Sequence, residues 1–379
     1  MKRFSLFITV VLSIFFSLEA VSAEEKESVA TQVSALINKY QQENKLVGLG
    51  IRVEKNEKLV ATAVSGLRVY GKEFKLTNND RWHLGSITKP ITATLIARLV
   101  EQYKLSWSTT ISEVFKNEKD IHPKWKAVTV TQLLSHTSGA KANFPMSVQF
   151  KRPKEGKERV QARREVVLNF LAKEPDYQAG EKFQYSNAGY TIAGAMVEQL
   201  TNTSWESIMR KEVFSPLNIT SGGFGPPKDG KGKYEQPRGH RKSFFSFMGP
   251  KAVDTKTDNS PIIGPAGIVH MNLKDLVAFG NVHISGRKGL NQFLSKKSFL
   301  KLQSPILDDY GLGWVVDTKR DWAEGTVIWH NGSNTMWYAL LVLQPESDLV
   351  IAVTSNDGNR KAASKAAWQL VKEITKMIQ

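Results

Sequence analysis

The chain opens on residues 27–40, where Val29, Val33, Ile37 and Tyr40 fall on one helical face. Two strand-like runs follow, residues 47–53 and 58–69, so the pattern predicts helix, strand, strand. From about Asp80 to Asn218 the helical period dominates. Ile91, Leu95 and Leu99 line up, Leu133 and Leu134 end a short helix before Ser138-Gly139, and residues 190–201 form another. Residues 221–260 are rich in Gly, Pro and Lys and read as a long excursion, a lid or a wall of a binding cleft. Beyond it, residues 272–279 and 296–302 read as helices. Residues 326–330, 336–343 and 349–354 read as strands separated by Gly332-Ser333-Asn334 and Pro345-Glu346-Ser347, connections short enough to predict an antiparallel meander. The closing segment, 364–378, places Ala367, Leu370, Val371, Ile374 and Ile378 on one side and is expected to cover the sheet.

Strands at both ends around a helical middle predict an α+β fold, an antiparallel β-sheet flanked by helices with an inserted, mostly α-helical domain. The expected division is a sheet domain built from residues 24–85 and 256–379, and a helical domain with long basic loops over 86–255. A length of 379 residues suits two such units better than one small module.

Lys2 and Arg3 precede an apolar run over residues 4–16, and Val21-Ser22-Ala23 ends in small residues at the positions a signal peptidase reads. Residues 1–23 are therefore expected to be a signal peptide cleaved after Ala23, which predicts a periplasmic or secreted protein. The run is well short of the ~20 residues a spanning helix needs, so no integral membrane span is expected.

The formal charge of +16 comes from 52 Lys and Arg against 36 Asp and Glu. The excess sits in residues 151–164 and 228–256, which carry no zinc-finger, helix-turn-helix or RNA-binding pattern, so nucleic acid is not an expected partner. The expected role is a solvated basic surface in loose association with an anionic cell envelope. With no cysteine, disulfides and thiolate catalysis are excluded, and the seven histidines show no metal-ligand spacing. No metal or other cofactor is expected.

Three short motifs carry candidate chemistry. Ser86-Ile87-Thr88-Lys89 puts a hydroxyl and an amine on one helix face, three positions apart. Ser138 to Lys141, Ser285 to Lys288 and Ser298 to Lys301 share the spacing, but only Ser86 starts an apolar helix, where free N–H groups favour developing negative charge. An ordinary N-cap serine would look the same. Tyr185-Ser186-Asn187 offers a phenol whose pKa a neighbouring ammonium would lower, and an amide able to hold substrate or lysine, although a loop with a packed ring gives the same letters. His330-Asn331-Gly332-Ser333 ends a strand, where Gly332 admits a substrate backbone and the N–H groups of Ser333 and Ser86 form an oxyanion pair. A plain strand-end histidine is the alternative for His330. His83-Leu84-Gly85 repeats the His-x-Gly form but abuts Ser86 and cannot supply an opposing wall.

In this order and spacing the motifs resemble the serine β-lactamase and penicillin-recognising hydrolase family. The likeness is to its branch of class C β-lactamases, D-Ala-D-Ala carboxypeptidases, D-aminopeptidases and related esterases. Residues 133–139 (Leu-Leu-Ser-His-Thr-Ser-Gly), 264–268 (Gly-Pro-Ala-Gly-Ile) and 310–314 (Tyr-Gly-Leu-Gly-Trp) are similar to that family as well. The resemblance implies that Ser86 attacks a carbonyl, Lys89 and Tyr185 share the proton work, Asn187 positions substrate, His330 flanks the cleft, and an acyl-enzyme forms.

Class C β-lactamases carry Lys-Thr-Gly where this chain has His330-Asn331-Gly332. A histidine, with an ordinary pKa of about 6.5, is mostly neutral at pH 7 and offers no permanent charge to a substrate carboxylate. The reading that follows is a periplasmic serine hydrolase acting on an ester or amide of a small molecule or peptide, including a D-amino acid peptide. The alternatives are a class C-like β-lactamase and a non-catalytic penicillin-binding or scaffolding relative.

Overall fold

The computed structural model describes residues 29–242 and 249–379. The expected export signal lies outside the described residues. Helix α1 (29–43) leads into strands β1 (Gly48–Lys55) and β2 (Lys58–Gly66), paired antiparallel. The two residues that join them, Asn56 and Glu57, both have positive φ (52° and 60°), the turn geometry that matches the twist of a two-residue hairpin.

The middle of the chain is helical, with α2 (Thr88–Glu101), α3 (Lys157–Leu171) and α4 (Asn187–Thr201) as its long elements. Helix α2 is buried on nearly every side, its threonines Thr88, Thr92 and Thr94 included. A helix enclosed in this way belongs to the core rather than to the surface. Helix α5 (Leu273–Lys288) runs on past the expected end at Phe279. Strands β3 (Val315–Asp317), β4 (Val327–Ser333), β5 (Tyr338–Gln344) and β6 (Leu349–Ser355) then form the meander, and α6 (Arg360–Ile378) closes the chain.

The main sheet has the order β2-β1-β6-β5-β4-β3, antiparallel throughout. The β1–β6 pairing, in register Leu49↔Ser355 to Lys55↔Leu349, joins the two ends of the sequence. Both faces are covered. Leu340, Val342, Ile351 and Val353 pack with Val33 and Ile37 of α1 and Leu370 and Ile374 of α6. Their neighbours Leu341, Leu343, Val350 and Ala352 belong to the core cluster that includes α5 and the helical region. This double burial is why β5 and β6 read as unbroken apolar runs rather than alternating ones. In β1 the second face is left small: a Cβ on Gly50 would meet Trp82 at 2.9 Å and Leu273 at 3.1 Å.

Two expectations change. Residues 151–164 are not a basic loop, because 157 onward is helix α3. Arg163, counted as solvated surface charge, is fully buried between Glu198 and Glu206, with its Nη2 2.9 Å from Glu206 Oε1. The excursion over 221–260 is tied down by small strands. Gly223–Phe224 and Arg81–His83 both pair with Val269–Asn272, and His240–Arg241 pairs with Lys251–Ala252. Among the described residues no helix is long and apolar enough to cross a membrane.

Candidate active site

Ser86 sits in a 3-10 turn, Gly85–Ile87, that feeds directly into α2. Gly85 takes φ +51°, and β4 presses against it: a Cβ on Gly85 would lie 2.4 Å from Ser333 N, and one on Gly332 would lie 2.4 Å from Ser86 N. Two glycines therefore allow the Ser86 turn and the strand end to approach backbone to backbone, which brings the Ser86 and Ser333 N–H groups to one place.

One turn into α2, Lys89 is fully buried. Its Nζ lies 3.1 Å from Ser86 Oγ, 2.7 Å from Asn187 Oδ1 and 2.9 Å from the Ala266 carbonyl. Burial holds its pKa well below the usual 10.5. A free amine has two N–H donors and one lone pair. In that form Asn187 and Ala266 take the two donors and the lone pair faces the Ser86 hydroxyl, whereas the protonated form donates to all three. Asn187 is held in turn by its Nδ2, which donates to Asn143 Oδ1 at 2.7 Å.

Tyr185 reaches Ser86 from the other side, and the Ser86 hydroxyl is its hydrogen-bond partner. The tyrosine is 36% exposed, open to an incoming molecule, yet burial of its hydroxyl end raises the phenol above the usual 10.0. The expectation was a lowered value. The reason for the reversal is burial of the phenol itself, and the same burial disfavours the charge of Lys89, 4.6 Å from the ring centroid, that would have opposed it. Tyr185 is thus a neutral proton donor.

The ring is positioned by His136, whose centroid is 4.4 Å away. His136 Nδ1 accepts the Ser186 N–H at 3.0 Å and its carbonyl accepts the Gln184 N–H at 2.8 Å, gripping the chain on both sides of Tyr185. Burial keeps His136 well below its usual pKa. Ser186 caps α4, its hydroxyl accepting the Gly189 N–H at 2.9 Å, so Tyr185-Ser186-Asn187 is a helix start rather than a loop.

His330 is 3% exposed. Its Nδ1 donates to the Asn331 carbonyl at 2.6 Å, which leaves Nε2 to accept the Tyr310 hydroxyl at 3.1 Å. Burial lowers its pKa to about 3. Both ring nitrogens are occupied, and His330 presents neither a charge nor a free donor to the cleft.

The other Ser-x-x-Lys serines are engaged elsewhere: Ser285 donates to the Asn281 carbonyl at 3.0 Å and Ser298 to Glu101 Oε1 at 2.5 Å, while Ser138 accepts the Ala140 N–H at 3.3 Å. Sequence motifs gave no role to the Ala266 carbonyl, His136 or Tyr310, although all three fall in the resembling segments. Asn143 had no signal at all. Beyond Asn143 lies a cavity of about 430 Å³ floored by Trp125, Phe144 and Phe170 and bordered by Lys141, Lys151 and Lys173.

A serine oxygen faces a buried lysine nitrogen at the start of an enclosed helix, beneath the end of an antiparallel strand, an arrangement that suits an activated serine. The Beta-lactamase family model matches residues 33–376, and the chain belongs to that family. It is 26% identical over 307 residues to Penicillin-binding protein 4 of Amycolatopsis lactamdurans, covering 78% of this chain and 77% of that one. It is 21% identical over 331 residues to Protein flp of Staphylococcus aureus (strain MRSA252), covering 86% of this chain; the match spans only 62% of that relative's length. A D-amino acid amidase from Ochrobactrum anthropi SV3, solved with L-phenylalanine amide, has the same fold, with a TM-score of 0.75 at 17% identity over 93% of this chain and 98% of that one.

Proposed function

We propose that the protein is an exported serine hydrolase, periplasmic or secreted, that cleaves an ester or amide through an acyl-enzyme on Ser86. Its proposed substrate class is a D-amino acid amide, ester or short peptide. The observation that carries the reading is a fully buried Lys89 whose Nζ lies 3.1 Å from Ser86 Oγ and whose charge burial disfavours, a base within reach of the hydroxyl. Lys89 takes the Ser86 proton as Oγ attacks, and the oxyanion receives the Ser86 and Ser333 N–H groups. Tyr185 relays the proton to the leaving atom, and the same pair takes a proton from water in deacylation.

The substrate preference rests on His330. A neutral, fully engaged imidazole gives no fixed cation for the carboxylate of a β-lactam, which favours peptidase, amidase or esterase turnover over efficient β-lactam hydrolysis. The test is kcat/KM on D- and L-amino acid p-nitroanilides, p-nitrophenyl esters and benzylpenicillin, with Ser86→Ala alongside. The reading expects turnover of D-configured amides or esters at least tenfold above benzylpenicillin. Benzylpenicillin as the best substrate would make the protein a β-lactamase, and no turnover or acylation of any of them would leave the non-catalytic reading. Export is checked separately: the mature protein recovered from the producing cells should begin at Glu24.

A further inference from the structure

We propose that Asp258 is a positioning residue that ties the two halves of the oxyanion site together, through His83 on one side and Asn334 on the other. The proposal rests on the reading of Ser86 as nucleophile. Asp258 comes from the end of the 221–260 excursion, and its side chain is 6% exposed. Its Oδ2 lies 3.0 Å from His83 Nε2 and its Oδ1 accepts from Asn334 Nδ2 at 2.7 Å.

Each neighbour is fixed by a second bond. His83 is fully buried, and its Nδ1 accepts the Gly85 N–H at 3.1 Å. An accepting Nδ1 puts the proton on Nε2, which therefore donates to Asp258. Asn334 Oδ1 accepts the Met336 N–H at 3.2 Å, which orients its amide and leaves Nδ2 to donate. Both oxygens of Asp258 are thus acceptors in use, and only a carboxylate supplies two acceptors at this point. Gly85 precedes Ser86 and Asn334 follows Ser333, so the carboxylate holds the residues next to each oxyanion donor. Asp258 is anchored in turn, as Arg152 Nη2 donates to its carbonyl at 3.0 Å and the adjacent Asn259 Nδ2 donates to the Gly267 carbonyl at 3.1 Å.

Asp258→Asn tests this with little change of volume. In one orientation its NH2 faces the His83 N–H, which relaxes only if His83 changes tautomer and turns a donor against the Gly85 N–H. In the other it faces the Asn334 NH2. The expected result on the best substrate is a kcat lower by ~10- to 100-fold with KM within about threefold, the scale of a misplaced oxyanion donor. Affinity for a phosphonate or boronate transition-state analogue should fall by the same factor as kcat/KM. Nitrogen NMR of His83 should report the Nε2–H tautomer in the wild type. Asn334→Ala provides a second route, expected to lower kcat through the Ser333 side alone. The proposal is overturned if folded Asp258→Asn and Asn334→Ala keep kcat within twofold, if the loss is in KM alone, or if His83 carries its proton on Nδ1 in the wild type. The tautomer measurement needs no turnover, so failure of the hydrolase reading, an inert wild type, is distinguishable from failure of this one.

Discussion

Gly85 and Gly332 occupy each other's side-chain space. A Cβ on Gly332 would lie 2.0 Å from the Leu84 carbonyl oxygen and 2.4 Å from Ser86 N, and one on Gly85 would lie 2.4 Å from Ser333 N. The contact is between backbones, so neither side can yield by turning a side chain. Gly332→Ala should push β4 off the nucleophile turn and cost ~100-fold or more in kcat, the scale of losing one oxyanion donor, with a measurable fall in Tm. Steady-state kinetics and thermal melts of the variant check this; near-normal kcat would mean that the two walls need not touch.

Lys89 is expected to act as an amine rather than a charge. Lys89→Arg introduces a permanent cation that has no lone pair to accept the Ser86 proton, and should be as inactive as Lys89→Met, ~10³-fold or more below wild type. Stability should move differently. Because burial lowers the folded-state pKa, between that lowered value and the usual 10.5 the unfolded chain binds a proton that the folded chain does not, and this site opposes folding until the pH exceeds the usual 10.5. Lys89→Met removes that cost, so its Tm at pH 7 should match or exceed the wild-type value. A Tm well below wild type would show that the bonds to Asn187 and Ala266 matter more.

The same lowered pKa sets the pH profile. Activity should fall with unit slope as the pH drops through the Lys89 value, since a protonated lysine cannot accept the Ser86 proton. His330, at about 3, and His136, also held low by burial, should contribute no limb near 6.5. Profiles of kcat/KM for wild type and His330→Asn should share their acid limb, and a limb that disappears in the variant would reassign it to the histidine.

Tyr185, as a neutral phenol, should matter in proportion to how much the leaving group needs a proton. Tyr185→Phe is expected to cost ~10²-fold or more on an amide but less than about tenfold in acylation by a p-nitrophenyl ester, whose leaving group departs unprotonated. Equal losses on both substrates would point to a packing role against His136 instead.

Away from the site, Arg163 is fully buried between two carboxylates. Arg163→Met leaves Glu198 without its arginine and Glu206 with Arg159 alone, at 3.0 Å, and should cost ~3–5 kcal/mol in denaturant melts at pH 7. Glu206 is held below its usual pKa chiefly by Arg163 against its own burial, so part of that loss should disappear at acid pH, where the freed carboxylates take up protons.

Most elements were legible because their signals are local. The meander shows as apolar runs between tight turns, α6 as a one-sided helix, and Ser86 and Lys89 share a face by spacing alone. The edge strand Val315–Asp317 and the pair Gly223–Phe224 are too short to carry a pattern, and they exist because longer partners offer them hydrogen bonds. The direction of the Tyr185 shift was missed for a physical reason. The motif places a lysine beside the phenol, but only the packed structure shows that burial raises the phenol and disfavours the charge of the lysine. Asp258 was invisible because it meets His83 across 175 residues of sequence, from a segment whose composition reads only as loop.

The central claim is that Ser86 is the acylated nucleophile. The direct measurement is acid-quenched mass spectrometry of the protein mixed with its best ester or amide substrate, followed by peptide mapping, with Ser86→Ala in parallel. The account predicts an acyl adduct on the peptide containing Ser86 that forms and decays at rates compatible with turnover, and no adduct or turnover in the variant. Substrate consumed at the wild-type rate by Ser86→Ala, or an adduct on another residue, would contradict it.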